Sequence, residues 1–197
     1  MSVAAPTVVT VEEWMALPDD GIRRRLHNGE LIEEGPYSPQ SEAAGMTLRN
    51  RYHSIAMSDI AAELVFWRRS LPKPWGNVVS GEAAVLFDDD ADAVGVDVAY
   101  VQPELMLKQT DENTVIVGVP TLIVEILSPS TTVKALDDRR KVFAKYAVPV
   151  VWVVDPEDRT VTVYRHGQKP TMVNDVEELD GDPELPGFKV PVARLFE

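Results

Sequence analysis

Apolar and polar positions repeat along the chain with two different periods, and together they predict a protein of mixed α and β structure. The helical period of about 3.6 residues runs from Ser41 to Arg69 and again from Val133 to Ala147. A short helix is also predicted after Thr10, because Glu13 three residues later completes a capping box. We therefore expect three helices.

Runs rich in β-branched residues predict the strands. The first two strands form a hairpin, because the dipeptide Asn28-Gly29 is a strong signal for a two-residue turn. Three strand-like runs follow the long helix, and we expect the third to be central in the sheet: 77–87, 94–101 and 114–127. After the last helix, the apolar run "VPVVWVVD" is typical of a strand buried on both faces, and "TVTVYR" predicts one more strand.

The order of these elements bounds the fold class. It lacks the strict alternation of strand and helix that a doubly wound fold requires. We therefore predict an α/β (α+β) fold in which helices flank a mixed central β-sheet. The closing stretch "LPGFKVPVARLF" is predicted to be an edge segment that packs back on the body. Because no repeat or linker interrupts the pattern, residues 1–197 are expected to form a single domain.

Two carboxylates interrupt the apolar strands. Glu125 lies inside "LIVEIL", and Asp97 lies between Val96 and Val98. A buried charge is costly unless a cation, a metal ion or hydrogen bonds compensate it. Strict alternation places Asp97 on one face with Gly95 and Ala99, which are small and leave room beside it.

These acids have two interpretations. If their strands are neighbours and their faces coincide, Asp97 and Glu125 would converge on one Mg²⁺, a cation that takes oxygen ligands. Alternatively, each acid pairs with an arginine or faces solvent. On the following helix, Arg139 and Arg140 flank the apolar face, whereas Lys141 projects nearly opposite.

Charge and composition narrow the classes of partner. The net charge of -13 argues against a broad electrostatic grip on nucleic acid, although a local basic strip remains compatible with it. Much of the acid falls in 87–93 and 174–184, which we interpret as solvated loops. A calcium loop is the alternative, but the spacing is not that of an EF-hand. The lack of cysteine excludes disulfides and thiolate metal sites.

The sequence lacks the patterns of a membrane span, a secretory signal and a histidine metal site. No stretch approaches the roughly 18 apolar residues of a membrane span, and the first residues lack a secretory signal, so we expect a cytoplasmic protein with no membrane partner. The histidines His27, His53 and His166 lack the spacing of metal ligands. We expect them to be surface or packing residues.

The chain resembles the Uma-type family of restriction endonucleases, members of the PD-(D/E)XK nuclease superfamily. The segments that carry the resemblance follow the family's order and spacing, and "VEILSPST" is the most specific: "NGELIEEGPYSPQS", "GVDVAYV", "PTLIVEILSPST", "VPVVWVVDPEDRTVTVY" and "LPGFKVPVARLF". The resemblance implies a restriction-endonuclease-like core, hydrolysis of DNA, and Mg²⁺ or Mn²⁺ as cofactor. It also implies that Asp97 and Glu125 are the acids that bind the metal.

The resemblance implies a third catalytic residue. In such nucleases a lysine helps to orient or deprotonate the attacking water. The family's lysine lies on the helix after "SPST", where an ungapped count places Arg139, so the expected catalytic set is Asp97, Glu125 and Arg139. Val96 also replaces the proline that usually precedes the aspartate. Glu42 is a candidate third acid by analogy, although a solvated helix start is the simpler interpretation.

Arg139 at the family's lysine position is compatible with two functions. Arginine stays protonated near neutral pH and is a poor proton acceptor, but it can still stabilise charge. One hypothesis is therefore a Mg²⁺-dependent DNA endonuclease. The other is a nuclease-like scaffold that has lost catalysis and acts as a binding or regulatory module, with a homodimer as the expected assembly.

Overall fold

A computed structural model describes the chain over six ranges: 9–17, 24–33, 50–87, 92–110, 114–128 and 131–197. Ser41 and Glu42 lie outside these described residues, as do the first turns predicted for the long helix.

The helices in these ranges are α1 (Val11–Met15), α2 (Arg51–Ser70), α3 (Pro103–Met106), α4 (Val133–Lys145) and a closing 3-10 helix (Val192–Phe196). The predicted capping box of α1 is present, since the Thr10 hydroxyl accepts from the Glu13 amide at 3.1 Å and the Thr10 amide donates to the Glu13 carboxylate at 2.9 Å. The short α3 was not predicted. Within the described ranges, no helix has the length and apolar character needed to cross a membrane.

The strands of the described residues are β1 (Arg24–His27), β2 (Glu30–Glu33), β3 (Asn77–Leu86), β4 (Asp92–Val101), β5 (Ile116–Val117), β6 (Leu122–Ile126), β7 (Val150–Asp155), β8 (Thr160–Arg165), β9 (Thr171–Asn174), β10 (Glu178–Asp180) and β11 (Lys189–Pro191). The predicted hairpin is thus confirmed as β1 and β2. The predicted run 114–127 is instead two strands, because Gly118 has a φ of 114° and leaves the extended conformation.

Nine of these strands form one mixed sheet. Seven follow the order β2-β1-β4-β6-β7-β8-β9, while β3 pairs with β4 and β5. The pairs β6–β7 and β3–β5 are parallel, and the other pairs in this sheet are antiparallel. Because β6 lies between β4 and β7, the prediction that it is central is confirmed. The predicted fold class, a mixed sheet flanked by helices, is also confirmed.

Both faces of the sheet are covered. The α2-side core includes the buried residues of α2 and the even positions of β6 and β7: Ala56, Ile60, Leu64, Trp67, Val124, Ile126, Val150, Trp152 and Val154. The α4-side core joins α4 to odd positions of the same strands: Val142, Phe143, Ile123, Val151 and Val153. Buried residues of the closing stretch, Leu185, Phe188 and Leu195, complete the α2-side core, as predicted for a segment that packs back on the body.

The acidic stretch 174–184 is not wholly a solvated loop. It contains β10, which pairs with β11 in a separate two-stranded sheet. Leu179 is buried and stands opposite Val190, so one apolar residue anchors this acidic strand to the core. The flanking acids Glu178 and Asp180 remain exposed.

Asp92 also departs from the predicted solvated loop, because it is completely buried at the start of β4. Its Oδ1 lies 2.7 Å from His27 Nδ1, and its Oδ2 accepts from Lys145 Nζ at 2.6 Å and from the Tyr146 hydroxyl at 2.7 Å. Burial raises the pKa of the Asp92 carboxyl, but these hydrogen bonds outweigh it and hold the pKa below its ordinary value. The network ties the hairpin and the end of α4 to β4.

Replacing Asp92 by Asn is expected to destabilise the fold by roughly 2 kcal/mol at pH 7, because the hydrogen bonds from Lys145 and Tyr146 lose a charged acceptor. The folded-state pKa of Asp92 is lowered, so its stabilising effect is present above the unfolded-state pKa and is lost as the pH falls through the folded-state pKa. Urea unfolding of wild type and variant should therefore differ most near neutral pH and converge in acid. The control Asp137→Asn, at an exposed ion pair, should change stability by less than about 1 kcal/mol. A constant gap at every pH would contradict this account.

Candidate active site

Asp97 lies on the edge of β4 between the residues that pair with β6 and those that pair with β1. Along one edge β4 pairs with β3, and along the other it pairs with β6 at 98–100 and with β1 at 92–93. No strand of the described residues pairs with this second edge at 94–97. Asp97 is completely buried there, and its Oδ2 accepts from the backbone amide of Ile126 in β6 at 2.8 Å. The carboxylate thus replaces a backbone carbonyl in the ladder.

The pairing of β4 with β3 is irregular at the same residue. Two residues of β3, Gly81 and Glu82, stand opposite Asp97 alone, which is a β-bulge, and both have positive φ angles. Val98 packs in the α2-side core, whereas Val96 packs in the α4-side core. The predicted strict alternation through Asp97 is therefore wrong, because a bulge shifts which side each residue faces.

His53 is the site residue that the sequence interpretation missed. It is 2% exposed in α2, and its Nε2 lies 3.4 Å from Asp97 Oδ2. We expected a surface or packing residue; His53 is buried, and its contact with Asp97 was not predicted. The helical period could have indicated its position, because His53 continues the buried stripe formed by Ala56, Ile60 and Leu64.

Glu125 lies one residue beyond Val124, and Val124 pairs with Val98. Asp97 is likewise one residue beyond that pair on β4, so the register of β4 and β6, continued by one residue, places the two acids opposite each other. The side chains that contact the two acids come from opposite faces of the sheet, since His53 belongs to α2 and the Glu125 partner Arg139 belongs to α4. The predicted pairing of β4 with β6 is present. Asp97 contacts His53, whereas Glu125 contacts Arg139.

Arg139 is the α4 residue that contacts Glu125. Its Nε donates to Glu125 Oε2 at 2.9 Å, and its Nη2 donates to Oε1 and to the backbone carbonyl of Gly95 at 2.6 Å. Both side chains are nearly inaccessible, each residue being 4% exposed. A two-pronged guanidinium–carboxylate pair of this kind satisfies the charge of Glu125 within the sheet.

The two basic residues that follow Arg139 make their contacts away from Asp97 and Glu125. Lys141 is exposed and pairs with Asp137 and Asp138, which agrees with the predicted projection away from the packed face. Arg140 stacks over the ring of Tyr164 at 4.0 Å from its centroid. Among the three adjacent cations, Arg139 is thus the one that contacts a strand acid in the described residues.

The donor set suits a hard divalent cation in its chemistry. Carboxylate oxygens are the ligands that Mg²⁺ and Mn²⁺ prefer, and Asp97 and Glu125 carry them at opposing positions of β4 and β6. Within the described ranges, no group of three or more histidine, aspartate or glutamate residues is arranged to hold a metal ion. Glu125 is held by Arg139, so an ion at these two acids requires the guanidinium to give up at least one carboxylate oxygen.

Asp97→Ala is expected to speed hydrogen exchange at the Ile126 amide by roughly one order of magnitude, because that amide loses its acceptor. Asp97→Asn keeps an oxygen at this position and should preserve most of the protection. The amide of Leu127 is the internal control, since it donates to Val154 on the other edge of β6. Exchange that rises equally at both amides would mean that Asp97 has no specific role in the ladder.

Glu125→Ala is expected to destabilise the protein by roughly 3 to 5 kcal/mol, because it leaves the buried guanidinium of Arg139 uncompensated. The double variant Glu125→Leu with Arg139→Met should be more stable than Glu125→Ala, since it removes both charges at once. Urea denaturation measures all three proteins. A double variant that is no more stable than Glu125→Ala would contradict the ion-pair interpretation.

Comparisons with known proteins agree with this architecture. A crystal structure from Anabaena variabilis, described as a "putative nuclease belonging to DUF820", superposes with a TM-score of 0.73 at 17% identity, over 95% of this chain and 97% of that chain. At this identity the likeness shows the fold alone. No curated protein matches the chain. A family profile matches residues 11–193, nearly the whole chain, and the protein therefore belongs to the Uma2 family, which is described as "Putative restriction endonuclease".

Proposed function

We propose that this protein is a DNA endonuclease that hydrolyses phosphodiester bonds with a divalent ion, Mg²⁺ or Mn²⁺, held by Asp97 and Glu125. The observation that supports this proposal is the placement of two buried carboxylates at opposing positions of β4 and β6, in a member of a restriction endonuclease family. When bound, such an ion lowers the pKa of a bound water and stabilises the charge that develops on the phosphate.

Each side chain of the site has a separate task in this proposal. The amide of Ile126 and the ring of His53 orient Asp97, so that its carboxylate keeps one position. Arg139 orients Glu125 and can stabilise negative charge on a phosphate oxygen. Because a guanidinium stays protonated, it does not accept the proton of the attacking water. That proton passes to a carboxylate or to solvent.

The proposed substrate sets conditions for binding. A net charge of -13 repels DNA at long range, so the contact with DNA must be local and must weaken steeply with added salt. We propose a homodimer as the working assembly, because a two-fold axis would present one site to each strand of a duplex.

The ion pair itself favours a second candidate. Glu125 and Arg139 already neutralise each other within the sheet, and Arg139 stands where the resemblance places a lysine. A protein with this substitution could retain the fold and bind DNA or another protein without cleaving. This second candidate is a binding or regulatory module on a nuclease scaffold.

Plasmid nicking in Mn²⁺ separates the two candidates. Wild type is expected to nick, whereas Glu125→Gln and Asp97→Ala should each lose at least about 100-fold in rate, because each removes a carboxylate that holds the ion. Asp137→Asn is the matched control at an exposed acid and should nick normally. Nicking that survives Glu125→Gln would indicate a contaminating nuclease. A folded wild type that retards DNA on a gel but never nicks it would favour the binding module.

A further inference from the structure

The guanidinium of Arg139 occupies Glu125 in the manner expected of a bound cation. We infer that Arg139 is an internal cation that competes with the divalent ion for Glu125 and thereby sets the metal affinity of the site. This inference rests on the proposed metal site at Asp97 and Glu125. It concerns how that site is closed and opened, and it assigns Arg139 a positioning role.

The contacts of Arg139 explain why it competes well. Its planar fork reaches both oxygens of Glu125, and the same Nη2 also holds the carbonyl of Gly95 in β4. Three elements, α4, β4 and β6, thus fix one side chain. Because Arg139 is 4% exposed, water offers little replacement for these hydrogen bonds if the side chain moves away.

The charges of the three side chains also predict a lowered affinity for the metal ion. Asp97 and Glu125 would offer a divalent ion two negative charges, and Arg139 cancels one of them at close range. An incoming ion must therefore either displace the guanidinium or bind beside it at reduced affinity. In both cases the apparent affinity for the ion is lower than that of the two acids alone.

A lysine at this position would behave differently. Its ammonium is a single point on a flexible stem, so it can hold one oxygen of Glu125 and leave the other for a metal ion. Arg139→Lys therefore keeps a positive charge near Glu125 while it opens the carboxylate. Arg140→Lys is the matched control, because Arg140 is the next residue of α4 and contacts Tyr164 and Asp137 instead of the strand acids.

Calorimetric titration with MnCl₂ tests the inference without measuring cleavage. Arg139→Lys is expected to bind Mn²⁺ at least about tenfold more tightly than wild type, whereas Arg140→Lys should match wild type. If wild type and Arg139→Lys bind Mn²⁺ equally, the inference is overturned and the proposed metal site stands. If neither protein binds Mn²⁺ at millimolar concentration, the proposed metal site fails, and the inference fails with it.

A second variant gives an independent measurement. Arg139→Gln removes the internal cation and leaves the carboxylate of Glu125 buried without its partner charge, so it should melt at a lower temperature than wild type. Added MnCl₂ should raise its melting temperature more than that of wild type, because the metal ion then supplies the missing charge. An equal rise in both proteins would contradict the inference. If Arg139→Gln does not fold, the titration of Arg139→Lys decides the question.

Discussion

The centre of this molecule depends on the compensation of buried carboxylates. Asp97, Glu125 and Asp92 lie at or close to zero exposure within the sheet, and such charges are tolerated only when cations or hydrogen bonds surround them. A different set of side-chain and backbone groups compensates each acid. A backbone amide and a histidine contact Asp97, a guanidinium grips Glu125, and a lysine, a tyrosine and a histidine surround Asp92. Each set of contacts joins at least two helices or strands. The contacts that neutralise charge therefore also hold the helices and the hairpin to β4.

The position of the candidate site follows from an irregularity of β4. One edge of this strand is shared by two partners, and Asp97 lies between them, opposite a bulge of β3. A regular strand would use its backbone carbonyl to bond the next strand, whereas here a carboxylate does so and stays close to Glu125. Bulges recur beside active sites because they redirect a side chain without ending the sheet. The fold thus places the two acids on neighbouring strands, at opposing positions of β4 and β6.

Arg139 links the stability of this site to its chemistry. Arg139 is permanently charged and donates to both carboxylate oxygens, so it stabilises the negative charge of Glu125 inside the sheet. The same property opposes the exchange of partners that a metal-dependent nuclease needs. A lysine would hold the acid less completely and could lose its proton more easily. Under the proposed function, the choice between arginine and lysine at position 139 therefore bears on whether the chain cleaves DNA or only binds it.

The sequence by itself determined the periodic elements. Capping at Thr10, the Asn28-Gly29 turn, the buried run of β7 and the two longer helices follow local rules of hydrogen bonding and apolar spacing, and the structure has them. The sequence also marked Asp97 and Glu125, because a charge inside an apolar run is visible without coordinates. The helical phase of α4 placed Arg139 and Arg140 beside the apolar face, and the family resemblance selected Arg139. Only the tertiary structure decided the bulge at Asp97, the contact with His53, the burial of Asp92 and the carbonyl of Gly95 as a partner of Arg139. These features depend on strands and helices far apart along the chain, and no local pattern encodes the register in which such elements meet.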